Sequence, residues 1–489
     1  MQGFGVIEMD AIEFVQGAQK GEISVVEHTH KILEEIKKKN PAYNHFNLIA
    51  EDFAVKQAEE LEKQIKQNSG KTKSLKLLGL PVSVKDCICV KGIESRAGSK
   101  ILSGYKPTFD ATAISRIKGQ GAIILGKTSQ DEFGFGSFGV NTGIDFRKPK
   151  NPHDVSRACG GSSAGAGGFS SLTEFSHIAL AESTGGSIAC PASFCGAVGL
   201  TPTYGRVSRY GLIDYANSLD KIGTIAKSAK EAALLLQVIA GNDEKDATTL
   251  QNPAENYLGN SNSSLKGMKI AVIREFFGKG IDSGVSKACW SALKAAEKEL
   301  GIKYKEVSLP LNAKYAIPAY YLIAMAESST NLAKYCGMRY GAHANLEGKF
   351  DEYFTNVRSE FFGEEAKRRI ILGTFARMAG FRDAYYLRAM KLRTLLIEEY
   401  AKIFKKFDLI AHPSMPIVAP MFDEIEKLTP LENYMMDICT VPANLAGLPH
   451  ISIPAGKSKG MPVGLMLTAA HLQENKLIQA ANAFEGLGK

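Results

Sequence analysis

The chain has 489 residues, 45% hydrophobic and 22% charged, a composition that supports a large buried core and excludes a disordered or peptide-sized scaffold. Its 59 basic and 51 acidic side chains leave a net charge of +8 with no long basic tract beyond Lys37-Lys38-Lys39, so an autonomous nucleic-acid binder is not expected. No window approaches about 18 unbroken apolar residues, and Met1-Gln2-Gly3-Phe4-Gly5 does not begin a basic-then-apolar leader, so no membrane contact and a cytoplasmic location are expected.

From residue 9 to about 67 the pattern is helical. Ser24-Val25-Val26-Glu27 predicts a capping box, Val25, Ile32, Leu33 and Ile36 recur at helical spacing, and Asn40-Pro41 is expected to end the run. A second amphipathic stretch carries Phe53, Ala54, Ala58, Leu61 and Ile65, and the polar residues 71–74 predict a surface turn. Short apolar runs then predict strands at 80–84, 122–125, 178–181, 197–200, 268–273, 409–411, 451–454 and 463–467. Helical periods fill the gaps at 111–118, 229–240, 287–300, 320–334, 384–404 and 477–483. This alternation predicts an α/β fold, a large mostly parallel or mixed sheet covered by helices on both faces. Residues 1–70 are expected to form a helical segment packed on one domain spanning 71–489, with the polar stretch 250–266 as a surface excursion.

Eight cysteines at irregular spacing predict reduced, buried thiols, with no disulfide framework and no zinc site. The chemistry points elsewhere. Gly160-Gly161-Ser162-Ser163-Ala164-Gly165-Ala166-Gly167-Gly168 and Thr184-Gly185-Gly186-Ser187-Ile188 each set a serine beside a glycine pair. Such turns either cap a helix or bring backbone N–H groups close to an oxyanion. The first lacks the Lys-Ser/Thr ending of a phosphate loop, and Gly165, Gly167 and Gly168 fall where a helix should run, so close helix packing is their expected use. A serine nucleophile needs a base. Lys85 ends the apolar run Leu80-Pro81-Val82-Ser83-Val84; it is either a surface lysine after a strand or an amine carried to the sheet edge where α/β sites form.

Together, Gly79-Leu80-Pro81-Val82-Ser83-Val84-Lys85-Asp86, the two serine-glycine turns and Pro191-Ala192 resemble the amidase signature family. Further matches extend the resemblance to the glutamine-hydrolysing subunits of tRNA-dependent amidotransferases: Lys127 with Asp131-Glu132-Phe133, Pro202 to Gly211, Ser218-Leu219-Asp220, Arg368 to Phe375, and Pro442 to Pro449.

The resemblance implies the amidase signature fold and a Ser-cisSer-Lys triad, in which Ser187 attacks the carboxamide carbon of glutamine, Ser162 relays its proton and neutral Lys85 accepts it. Thr184, Gly185 and Gly186 would supply an oxyanion hole, and Tyr320, Arg369 and Asp437 would hold glutamine, Arg369 its carboxylate and Asp437 its ammonium. It also implies partners: B and C subunits, with charged tRNA reached mainly through them. No cofactor is expected in this chain, ATP and Mg²⁺ being used by the complex, and no metal site. A stand-alone amidase with the same triad, acting on small carboxamides, is the alternative. Three departures stand out: Glu182-Ser183 replaces the family's small-residue-Asp pair, Ala189 replaces an arginine, and the interval from Ser162 to Ser187 is one residue longer than the family's.

Overall fold

The computed structural model describes residues 9–67, 70, 72–259 and 264–487, and within them eleven strands form one sheet. In chain order these are β1 (Phe46–Ile49), β2 (Pro81–Lys85), β3 (Ile123–Thr128), β4 (Ile178–Ser183), β5 (Val198–Thr201), β6 (Lys221–Ala226), β7 (Lys269–Ile273), β8 (Lys303–Val307), β9 (Leu409–Pro413), β10 (His450–Ser458) and β11 (Met461–Ala469). They lie in the order β1-β3-β2-β4-β6-β5-β10-β11-β9-β7-β8. Two parallel groups, β3-β2-β4 and β8-β7-β9, are joined by antiparallel pairs, so the sheet is mixed, as its alternation of strands and helices predicts.

Both faces are covered, and successive residues show it. Along β4, Ile178 and Leu180 enter the main core while Ala179 and Ala181 pack with Ala166 and Ile188; along β7, Ile270 and Val272 enter the main core while Ala271 and Ile273 pack with Phe276 and Tyr400. Side chains alternate across a strand, so two buried sets mean helices on either side. The helices Ala11–Lys20, Val25–Tyr43 and Glu51–Lys66 contribute Ala18, Ile32, Ile36, Ala54 and Ala58 to a further core against Ile123 and Leu125 of β3.

Eight strands match apolar runs in the sequence; β1, β6 and β8 do not. β6 carries Lys221, Gly223 and Thr224, and β8 (Lys-Tyr-Lys-Glu-Val) lies at the sheet edge with its side chains largely exposed, so neither presents a continuous apolar signal. Two local expectations also fail. Pro41 sits inside Val25–Tyr43, which ends only where Asn44 turns left-handed at φ 57° and its N–H closes on Asn40 O at 2.7 Å. Ser24 does accept the Glu27 N–H at 3.1 Å, but Glu27 pairs with Lys31 at 2.7 Å, and Glu62 of the neighbouring helix takes the Ser24 hydroxyl at 2.8 Å, so the capping box is half formed. The helix expected at 384–404 begins as a π-turn at Asp383–Leu387 before Arg388–Phe404, and that at 320–334 starts earlier, as Pro310–Asn331, with Pro310 at its first turn.

Within the stretch 250–266, residues 260–263 lie outside the described residues; of the rest, Tyr257 turns inward and accepts from Arg206 Nε at 2.6 Å. Lys71 and Met1 to Gly5 also lie outside them. No helix among the described residues is long and apolar enough to cross a membrane.

Candidate active site

Lys85 ends β2 and Glu182 stands next to last in its parallel neighbour β4, so both reach the same edge of the sheet, at strand C-termini. Lys85 is no surface lysine: it is fully buried, and its Nζ donates to Ser162 Oγ at 2.7 Å, to Glu182 O at 3.0 Å and to Glu182 Oε2 at 2.9 Å. Ser162 lies in the loop entering the helix Ala164–Leu172, and the Gly161–Ser162 peptide bond is cis. The glycines are sterically required. A Cβ on Gly161 would fall 2.0 Å from Asp131 Oδ2, and those on Gly165 and Gly167 would meet His45 O at 2.1 Å and Pro191 Cβ at 2.7 Å. The helical glycines therefore serve close packing, as their position predicts.

Ser187 lies in the turn from β4 to the helix Ala189–Cys195. Its carbonyl accepts the Ser163 N–H at 3.2 Å, which ties the two serine-bearing loops together, and the residue is 5% exposed. Among the described residues no acceptor takes the N–H of Gly185, Gly186 or Ser187, so one turn holds three unspent donors, the array that a developing oxyanion requires. Tertiary packing shapes this turn: a Cβ on Gly185 would stand 3.0 Å from Tyr320 Oη, and one on Gly186 2.4 Å from Thr440 Oγ1. Asn444 donates to the Thr184 carbonyl and to Leu219 O at 3.1 Å. The Thr184 hydroxyl lies 2.9 Å from Glu182 Oε1 and 2.8 Å from Asp220 Oδ1.

Beside this turn the fold encloses a buried arginine, its carboxylate partner Glu365 and a second buried acidic residue, Asp437. Arg369, on the helix Glu364–Arg377, bonds to Glu365 Oε1 at 2.8 Å and to Tyr215 Oη at 2.5 Å. The rings of Phe135, Tyr321, Tyr434 and Tyr215 have their centroids 5.0, 5.4, 5.4 and 5.6 Å from its guanidinium carbon. Asp437 accepts from Tyr321 Oη at 2.7 Å, and burial raises its carboxyl above the usual range, against the bonds from Tyr321 and Ser137. Gly134 connects this enclosure to the serines: a Cβ there would lie 3.5 Å from both Ser162 Oγ and Tyr215 Cδ1 and 3.7 Å from Glu182 Oε2. A cavity of about 460 Å³, lined in part by Ser137, Asn141, Arg369 and Tyr434, opens beside the guanidinium.

All nine residues singled out in the sequence thus lie in one region or one packing step from it. Tyr320 is buried against Gly185 and stacks edge-on with Tyr321 at 4.9 Å, and it is Tyr321 that holds Asp437. The sequence reading missed Tyr215, Tyr321, Glu365 and the contact of Glu182 with Lys85. Only Glu365 carries a local signal, its i, i+4 spacing to Arg369 on a helix. Among the described residues no cluster of three His, Cys, Asp or Glu side chains is arranged to hold a metal.

The family model described as Amidase matches residues 27–478. The chain is 43% identical over 474 residues to the A subunit of glutamyl-tRNA(Gln) amidotransferase of Thermoanaerobacter pseudethanolicus, covering 96% of this chain and 94% of that one. It is 44% identical over 466 residues to the Streptococcus sanguinis counterpart of the same name, covering 95% and 93%. The crystal structure of the glutamyl-tRNA(Gln) amidotransferase A subunit from Thermotoga maritima superimposes with a TM-score of 0.79 at 35% identity, covering 97% of this chain and 95% of that one.

Proposed function

This chain belongs to the amidase family, and from that premise we propose that it is the glutamine-hydrolysing subunit of a tRNA-dependent amidotransferase. The observation that carries the reading is the contiguity of two parts: Lys85 bonded to Ser162 at 2.7 Å, and, across Gly134 and Tyr215, a buried arginine and a buried aspartate in one aromatic enclosure. The first part suits acyl transfer from a carboxamide. The second suits a free amino acid, whose carboxylate pairs with a guanidinium and whose ammonium pairs with a carboxylate.

In this reading Ser187 Oγ attacks the side-chain carboxamide carbon of glutamine, and its proton moves through Ser162 to neutral Lys85. The N–H groups of the Thr184 to Ser187 turn, the expected oxyanion hole of Thr184, Gly185 and Gly186, receive the oxyanion. Return of the proton to the amide nitrogen releases ammonia, and water then frees glutamate from Ser187. Tyr320 packs against the turn at Gly185 and Tyr321 holds Asp437, while Arg369 takes the α-carboxylate and Asp437 the α-ammonium. Ammonia passes to a B subunit, which with ATP and Mg²⁺ activates Glu-tRNA(Gln) or Asp-tRNA(Asn); a C subunit completes a cytoplasmic heterotrimer, and charged tRNA is held mainly by the partners.

The test is ammonia release from glutamine by the purified chain, with and without B and C subunits, for wild type and Ser187→Ala. Turnover that requires Ser187 and rises with the partners and charged tRNA is expected. Turnover of assorted amides but not glutamine would make the chain a stand-alone amidase.

A further inference from the structure

Lys85 Nζ has three donor positions as an ammonium, and the structure gives it three acceptors: Ser162 Oγ, the Glu182 carbonyl and the Glu182 carboxylate. The contact is shut away from bulk solvent, the two side chains being 0% and 4% exposed. We propose that Glu182 is a positioning residue of the proton relay, supplying the counter-charge against which Lys85 takes up the proton that leaves Ser187. The proposal deepens the function proposed above and rests on the triad it invokes.

The proton count fixes what the carboxylate does. As Ser187 Oγ bonds to the carbonyl carbon, its proton goes to Ser162 Oγ, the Ser162 proton goes to Lys85 Nζ, and the carbonyl electron pair becomes the oxyanion. Lys85 passes from amine to ammonium while fully buried, where an isolated charge is strongly disfavoured. With Glu182 at 2.9 Å the product of that step is a neutral ion pair. When the amide nitrogen departs, the same proton returns through Ser162 and leaves with ammonia.

Other buried groups surround this contact. Asp220 reaches it through the Thr184 hydroxyl, and burial, then the Glu182 charge, push the Asp220 carboxyl well above its usual range. A hydroxyl has one proton. The Thr184 hydroxyl is within donating distance of both carboxyls, so it can serve only one at a time, and Asp220 has other donors in the N–H groups of Tyr215 at 2.9 Å and Ala216 at 3.0 Å. Asp131, from the loop after β3, spends its oxygens on the N–H groups of Asn141 at 2.8 Å and Gly139 at 3.1 Å, and burial raises the Cys87 thiol, which stays protonated.

The experiment measures the rate of Ser187 modification by a fluorophosphonate against pH, alongside glutamine hydrolysis, in the full-length chain with its partner subunits. An opposite charge favours the ammonium. Glu182→Gln should therefore move the acidic limb of the profile to lower pH and lower the plateau roughly 10- to 100-fold, with the melting transition retained. A lower plateau with the limb unmoved would overturn the proposal and make Glu182 structural. Should Glu182→Gln fail to fold, Thr184→Val decides: losing the hydrogen bond to the carboxylate sharpens its charge and should move the limb to higher pH, and a limb that stays or falls overturns the proposal. If the limbs shift as expected but wild type does not hydrolyse glutamine, the substrate reading fails and the role of Glu182 stands.

Discussion

The side-chain nitrogen of Lys85 stands 2.7 Å from the hydroxyl of Ser162, a residue 77 positions away in the chain, and both are fully buried. A lysine held this way is committed: it has no water to fall back on, and every partner it loses is a buried group left unmatched.

Replacing that lysine should therefore damage activity and stability together. Lys85→Met leaves Glu182 buried without its cation and should destabilise the fold by about 3–5 kcal/mol, while Ser187-dependent turnover falls roughly 100- to 10,000-fold. Adding Glu182→Met should restore part of the stability and none of the turnover. Urea unfolding and ammonia release measure the two effects separately; a stable, inactive Lys85→Met would show that the pair contributes nothing to the fold.

Arg369→Ala should separate recognition from chemistry. A charge-assisted hydrogen bond of about 1.5–3 kcal/mol corresponds to a rise in KM for glutamine of roughly 10- to 100-fold. Reaction of Ser187 with a simple acylating agent should change little. Equal behaviour of wild type and variant toward glutamine would remove Arg369 from the substrate pocket.

Gly186→Ala places a Cβ 2.4 Å from Thr440 Oγ1, so the turn that carries the N–H donors must shift. Loss of one oxyanion donor typically costs roughly 100- to 1,000-fold in kcat, and the effect is expected there rather than in KM. Steady-state kinetics with glutamine would show it; an unchanged kcat would place the oxyanion site elsewhere.

Burial pushes the Asp131 carboxyl up to about 6, against hydrogen bonds from Asn141 and Gly139. Between about pH 4 and that value the folded chain keeps a proton that the unfolded chain has released. This group's contribution is thus full below about pH 4 and is lost as pH rises through the window, by at most about 1.4 kcal/mol per pH unit. Asp131→Asn lacks the titration, so its stability should fall less than that of wild type between about pH 4 and 6, as measured by urea unfolding. Equal losses would show that Asp131 titrates normally.

Of eight cysteines, seven are buried and Cys336 is partly exposed, and all are free thiols in the structure. Brief alkylation of the native protein followed by mass spectrometry should label Cys336 first, with the others following only on unfolding. Early labelling of Cys87 or Cys190 would mean that the edge of the sheet opens in solution.

The apolar runs that became β2, β3, β4, β5, β7, β9, β10 and β11 were legible in the chain, as were the two serine-glycine turns and Lys85 at a strand end, because strands covered on both faces read as continuous apolar runs and glycine-permitted close approach leaves a local mark. The resemblance to the amidase signature family rests on those same turns. Other features left no such mark. β6 and β8 hold charged and small residues that become strands only once paired with neighbours, so the strand order had to come from the fold. The same applies to the charges: Glu182 beside Lys85, Tyr215 on Arg369 and Tyr321 on Asp437 join residues 97, 154 and 116 positions apart. A buried charge is tolerable only when its partner arrives from elsewhere in the chain, and which partner arrives is decided by tertiary packing, which local sequence does not encode.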